Sequence, residues 1–337
     1  MTPIPHRLAR LALSAGAAWL VALAAACSNA VPPGPSPADA AAAMEDPAGA
    51  HDPTLIERDG VFHVFATGQG IQHLRSEDGR RWRRLAPVLT QAPAWWAEAV
   101  PAHRGLDVWA PKVFALKGRY WLLYSISTFG RNRSAIGLTS SASLDGPWRD
   151  DGLVVASVER DDFNAIDPDL FIDVADAGGD GRLWLSYGSF WGGIRVVEFD
   201  PATMRPTGPT RFIARGPVKA GAGAGGPIEA PTLVRHGDWV YLFVSHDFCC
   251  RGLASTYNIR VGRARSAQGP FLDRDGRDLM VGGGTPVEQG AGRWIGPGHQ
   301  DVVGRWIVRH AYDAEDGGKP KLRFGELRWT EDGWPGL

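Results

Sequence analysis

The sequence predicts an all-β fold, a five-bladed β-propeller, and three observations predict it. One strand-opening phrase occurs five times, at residues 51–56 (HDPTLI), 109–114 (WAPKVF), 166–171 (IDPDLF), 229–234 (EAPTLV) and 298–303 (GHQDVV). After each phrase a turn leads to a strongly hydrophobic second run, at 61–65, 120–124, 183–187, 239–243 and 306–310. The 43 glycines, 25 prolines and 14 tryptophans suit many short strands joined by tight turns, and no long amphipathic helix competes.

Each repeat reads as one blade. The second runs are aromatic and β-branched between Gly/Asp turns, which is strand composition. Third strands are expected at 70–75, 134–140, 193–199, 258–264 and 321–327. Polar turns at 143–148 and 266–271 then lead to an outer strand, so five four-stranded units are expected. The aligned slots Pro53, Pro111, Pro168, Pro231 and Gln300 lie 58, 57, 63 and 69 residues apart, which is blade-sized spacing with loop insertions. Proline suits the first residue of an inner strand, where a missing N–H takes nothing from the ladder. Inner strands line a central channel, and their starts crowd one face of it. Asp52, Asp167 and His299 then share one slot, and Glu229 lies one position earlier.

Residues 1–26 read as an export signal. Arg7 and Arg10 precede an uncharged apolar stretch over 11–26 that ends in small residues before Cys27. A stretch of about 16 residues is short for a membrane span. Residues 23–28 (LAAACS) resemble a bacterial lipoprotein signal with Cys27 as the lipidated N-terminus, and cleavage after Ala26 is the alternative. The Ala/Pro-rich segment 27–48 reads as a tether, and residues 49–337 as the propeller domain. Expected localisation is periplasmic or cell-surface, or secreted, with no membrane contact beyond the lipid. A net charge of −1 carries no nucleic-acid footprint, and a monomer is expected. Adjacent Cα atoms sit about 3.8 Å apart, closer than across an ordinary disulfide, so the sequence leaves the pairing of Cys249 and Cys250 open. The Gly/Ala run 220–226 leads into a strand and lacks a Lys-Ser/Thr ending, so it is no phosphate loop.

The motifs at 51–53, 109–111, 134–138, 164–168, 184–194 (WLSYGSFWGGI), 228–231, 248–252 (FCCRG), 255–262 (STYNIRVG), 295–299 (IGPGH) and 310–313 (HAYD) together resemble family 43 glycoside hydrolases, in particular their endo-1,5-α-L-arabinanases. The resemblance covers nearly all of residues 50–335. It implies an inverting hydrolase acting on arabinan and arabino-oligosaccharides. By the same resemblance Asp52 is the general base, Glu229 the general acid, and Asp167 the carboxylate that orients the acid and tunes its pKa. Inversion needs one ionised and one protonated carboxyl on opposite sides of the sugar, with water between. A third charge beside Glu229 favours its protonated form. The resemblance also implies calcium or another divalent ion in the channel near His299. Imidazole is an unusual ligand for a hard cation, so most of that ion's coordination is expected to be water.

A lone Asp at a strand start more often caps a turn than does chemistry. Three acids beside one slot, inside family motifs, favour catalysis. Asp107, Asp169 and Asp301 read as structural, as do His51 and His103. Trp109 and Phe129 are the aromatic candidates for stacking on arabinose, and Asn164 and Ser189 the polar candidates for its hydroxyls. Most other tryptophans are expected between blades. An arabinofuranosidase or β-xylosidase of the same family is the alternative activity. A non-catalytic sugar-binding propeller and a retaining hydrolase are the further rivals.

Overall fold

The computed structural model describes residues 43–44, 48–174, 181–217 and 226–337. The export signal, Cys27, most of the tether and most of the 220–226 run lie outside the described residues. The innermost strands of the five blades are Thr54–Arg58, Asp107–Leu116, Asp169–Asp173, Ile228–His236 and Trp294–Val303. In every blade the next two strands follow antiparallel and outward in chain order, as in Ile228–His236, Trp239–His246 and Asn258–Ala264. Outer strands at Trp82–Arg84, Arg149–Ser157, Arg205–Ala214 and Thr285–Glu288 complete the first four blades. The architecture is a five-bladed propeller.

Blade five departs from the expected four strands. Among the described residues its sheet holds three, Trp294–Val303, Trp306–Asp313 and Lys319–Glu326. Gly49 bridges to Lys321 on its outer side, and the Leu322 amide donates to the Ala48 carbonyl at 2.7 Å. Ala43–Met44 pairs with Trp82 and Arg83 at the rim of blade one. The segment 43–50 therefore contributes to both blades and closes the ring.

Five hydrophobic clusters fill the five blade interfaces. Between blades two and three, Leu123, Ile136 and Leu138 meet Leu170, Leu185 and Val197. Their strand neighbours Leu122, Tyr124 and Ala135 face the other way, toward Phe65 and Ile71 of blade one. Side chains alternate across a strand, and each blade is covered on both faces. That is why the middle strands are nearly continuous apolar runs. Ala48 and Ala50 of the segment 43–50 pack with Leu55, Val64, Val308 and Leu322 between blades one and five.

The channel end holds a feature that the sequence did not announce. Asp52, Ala110, Asp167, Ala230 and His299, one per blade, all have left-handed backbones, with φ between 47° and 57°. Non-glycine residues seldom adopt this region, and they persist there only where the surroundings hold them. A side chain holds each amide. The Asp52 N–H donates to His310 Nδ1 at 3.2 Å, Ala110 to Thr67 Oγ1 at 2.9 Å and Asp167 to Ser125 Oγ at 3.0 Å. Ala230 donates to Asp167 Oδ2 at 3.2 Å, and His299 to Ser245 Oγ at 2.9 Å. In each case the acceptor belongs to the preceding blade or its edge.

This turn also corrects the reading of the proline slot. Pro111 and Pro231 lie inside their strands, where the ladder shifts register between Trp109 and Lys112 and between Glu229 and Thr232. Proline is tolerated there because a bulge leaves that amide without a ladder partner. Gln300, the exception, donates to the Ala230 carbonyl at 2.9 Å and accepts from Ser245 at 3.1 Å.

Two residues further along each inner strand stand Thr54, Lys112, Asp169, Thr232 and Asp301. Lys112 Nζ reaches both Asp169 Oδ1 and Asp301 Oδ1 at 2.7 Å. Burial disfavours the lysine's charge, but the two carboxylates outweigh it and hold its pKa above the ordinary value. Asp169 also accepts the Leu233 amide at 2.9 Å, and Asp301 the Leu55 amide at 3.0 Å. Both acids have structural contacts, and the layer fastens the channel beneath the left-handed ring.

Candidate active site

A cavity of about 640 Å³ opens over that ring. Asp52, Asp167, Glu229, His299, Trp109, Phe129, Asn164 and Ser189 all line it, so the eight site residues expected from the sequence meet in one place. Residues as far apart as Asp52 and His299 meet because the left-handed turns present the same position from successive blades.

Asp52 sits among histidines. Its Oδ1 lies 2.8 Å from His51 Nδ1, 3.2 Å from His299 Nδ1 and 3.5 Å from His310 Nδ1. Oδ2 accepts a 2.6 Å bond from Thr67, the same hydroxyl that accepts the Ala110 amide. Burial alone would raise the Asp52 pKa, but His51, His299 and His310 outweigh it and hold the carboxyl well below the usual carboxylate range. Burial lowers His299, and lowers His310 further. It acts on His51 too, yet Asp52 overrides it and His51 is raised.

Glu229 and Asp167 are shifted the other way. Burial is the main cause for both. Asp167 is raised further by Glu229 and Asp52, against the opposing Ala230 amide. Ser189 Oγ donates to Glu229 Oε2 at 2.6 Å and partly offsets its rise. One carboxyl is thus held ionised and two are pushed toward the protonated form, within a single cavity.

Ser189 lines the cavity and gives its proton to Glu229, which leaves its oxygen lone pairs as acceptors. Asn164 is buried, and its Oδ1 has no hydrogen-bond partner among the described residues. Trp109 is oriented by a 2.8 Å bond from its Nε1 to Asp107 Oδ2. Phe129 is 78% exposed on the cavity rim.

Several residues around the site were not expected from the sequence. Thr67, on the cavity wall, and His310, fully buried behind Asp52, become visible only through their clamping bonds. His51 is hydrogen-bonded as expected of a structural histidine, with Nδ1 on Asp52 and Nε2 2.9 Å from the Tyr312 hydroxyl, and it also lines the cavity. Cys249 and Cys250 form a disulfide on the cavity wall, where the Cys250 amide donates to the Tyr312 hydroxyl at 2.7 Å.

The donors around His299 do not fit a calcium ion held by the protein. Calcium takes six to eight oxygens. Here His51, His299 and His310 surround one carboxylate that is already hydrogen-bonded. No step of the chemistry is therefore routed through a metal.

The model of the Glycosyl hydrolases family 43 matches residues 47–335. The extracellular endo-α-(1→5)-L-arabinanase 1 of Bacillus subtilis is 44% identical over 291 residues, 85% of this chain and 86% of that protein. An extracellular exo-α-(1→5)-L-arabinofuranosidase of Cellvibrio japonicus is 38% identical over 301 residues, 85% of each chain. The solved structure of a GH43 endo-arabinanase from Bacillus licheniformis superposes with a TM-score of 0.81 at 45% identity, covering 87% of this chain and 99% of that one. With its carboxylates gathered over the channel and this similarity along nearly the whole propeller, the chain belongs to glycosyl hydrolase family 43.

Proposed function

We propose that this protein hydrolyses internal α-1,5-L-arabinofuranosyl bonds of linear arabinan, with inversion at the anomeric carbon. The observation that carries the chemistry is the opposed proton affinity of Asp52 and Glu229 in one cavity. An inverting hydrolase needs that pair. Ionised Asp52 takes a proton from water as the water oxygen bonds to the anomeric carbon. Protonated Glu229 gives its proton to the leaving oxygen as the glycosidic C–O bond breaks. Asp167 holds the turn that carries Glu229. Trp109 and Phe129 offer apolar faces to arabinose rings, and Asn164 Oδ1 an acceptor for a sugar hydroxyl.

Endo action is favoured by the relatives at 44–45% identity over the relative named for exo action at 38%. Product analysis on linear arabinan tests it. A ladder of oligomers is expected early, and a single short product from the first turnover would reverse the reading. Proton NMR of the first-formed anomer tests inversion.

Both Bacillus subtilis and Cellvibrio relatives are named extracellular, which supports export. Lipidation of Cys27 and a monomeric state belong to this proposal. Metabolic palmitate labelling that Cys27→Ala abolishes, and a monomer mass on gel filtration, are the expected results. The divalent ion implied by the resemblance enters only as a largely water-coordinated ion on His299. Metal analysis of wild type against His299→Ala reads it.

A further inference from the structure

We propose a second, separate metal site between blades one and two, built by His63, His73 and Asp145 and suited to a zinc-class divalent cation. His63 lies on the middle strand Val61–Ala66 of blade one, and His73 on the adjoining strand Gln72–Ser76. Both rings are buried, and His63 Nδ1 stands 2.9 Å from His73 Nε2. Asp145 belongs to a turn of blade two. Its neighbours Leu144 and Trp148 already dock on blade one, where Trp148 meets Phe65 edge-on at 5.7 Å. One ligand atom from each of the three residues lies within 4.8 Å of the other two.

The donor set suits zinc better than a hard cation. Two imidazoles and one carboxylate form a common three-ligand zinc set, with water in the fourth place. Metal–nitrogen bonds of about 2.0–2.1 Å around a tetrahedral centre put ligand atoms roughly 3.3 Å apart. The two ring nitrogens need to part by only a few tenths of an ångström. Neutral imidazole is the ligating form, and burial favours it at both rings, against the Asp145 carboxylate, which draws His63 the other way. The nearby Arg75 also favours neutral rings, and its guanidinium turns to Glu77 at 3.3 Å. His73 is fixed further by stacking on Phe65 at 4.3 Å. A bound ion fastens the Asp145 turn to blade one and staples the two blades, apart from the hydrolytic cavity.

The full-length protein, stripped with a chelator and desalted, is titrated with zinc chloride and with cobalt(II) chloride. The expected results are an intense visible band of tetrahedral cobalt and a rise in Tm of about 5 °C at a hundredfold excess over Kd. The His51, Asp52 and His310 group also gathers possible ligands, so the assignment rests on variants at the proposed site. Asp145 is exposed, and Asp145→Asn is expected to fold, to keep hydrolysing arabinan, and to lose the cobalt band with most of the Tm shift. Asp145→His is expected to retain both. A band and shift unchanged in Asp145→Asn, or no cobalt band in wild type, would overturn the site.

Discussion

Asp167 Oδ2 of blade three accepts the Ala230 amide of blade four at 3.2 Å, one residue past Glu229. In blades one, two, four and five the corresponding clamp comes from Thr67, Ser125, Ser245 and His310, each opposite the residue before its own blade's turn. Blade three has Gly188 there, whose amide donates to Ile166, and a glycine has no side chain to offer. Asp167 fills the vacancy. One carboxyl therefore both faces the cavity and shapes the backbone next to Glu229.

Asp167→Asn keeps an oxygen for the Ala230 amide, whereas Asp167→Ala leaves that buried N–H unpaired. The alanine variant is expected to unfold about 1–3 kcal/mol more easily than the asparagine variant in urea. Both are expected to lose turnover. Equal stability of the two variants would refute the clamp.

Asp52→Asn and Glu229→Gln are each expected to lower kcat on arabinan by about 10²–10⁴-fold while leaving the fold intact by circular dichroism. They part on a substrate with a good leaving group. An aryl arabinoside needs little protonation, so Glu229→Gln is expected to recover most of its rate there and Asp52→Asn none. Equal losses on both substrates would contradict the assigned roles.

The Ser189 hydroxyl stabilises the ionised form of Glu229 and so lowers its pKa. Ser189→Ala removes that bond and leaves Glu229 protonated to higher pH. The alkaline limb of kcat/KM is expected to move upward, while the acid limb, governed by Asp52, stays where it is. A downward move of the alkaline limb would exclude Glu229 as the acid.

Lys112 neutralises two buried carboxylates across the channel. Lys112→Met strands both charges and is expected to destabilise the protein by about 3–5 kcal/mol. Adding Asp169→Asn and Asp301→Asn to that variant is expected to restore much of the loss. Urea unfolding of the single and triple variants measures both.

Buried His246 is pushed down to about 4 from an ordinary 6.5 by burial and then by Arg260. Below pH 6.5 the unfolded chain takes up a proton that the native chain refuses until about pH 4. Stability is therefore expected to fall as pH drops through that window, by roughly 3 kcal/mol from this residue. His246→Gln is expected to flatten the slope between pH 6.5 and 4 in urea titrations. An unchanged slope would show that His246 takes up its proton alike in the native and unfolded chains.

The sequence by itself determined the propeller and the acids that line its cavity. A repeat every 57 to 69 residues with apolar second strands dictates blades, because each blade must bury both faces against its neighbours. The acids beside the repeated slot marked the channel end for the same reason. Only the tertiary structure decided how those residues act on each other. No sequence pattern shows that Thr67 bonds Asp52 and Ala110 together, that Ser189 turns to Glu229, or that three histidines crowd one carboxylate. Several of these bonds join residues of different blades, and those of Asp52, Ala110 and His299 seat left-handed turns, a backbone state that Asp, Ala and His do not advertise. The opposed proton affinities of Asp52 and Glu229 follow from burial and neighbours, and both exist only once the ring has closed.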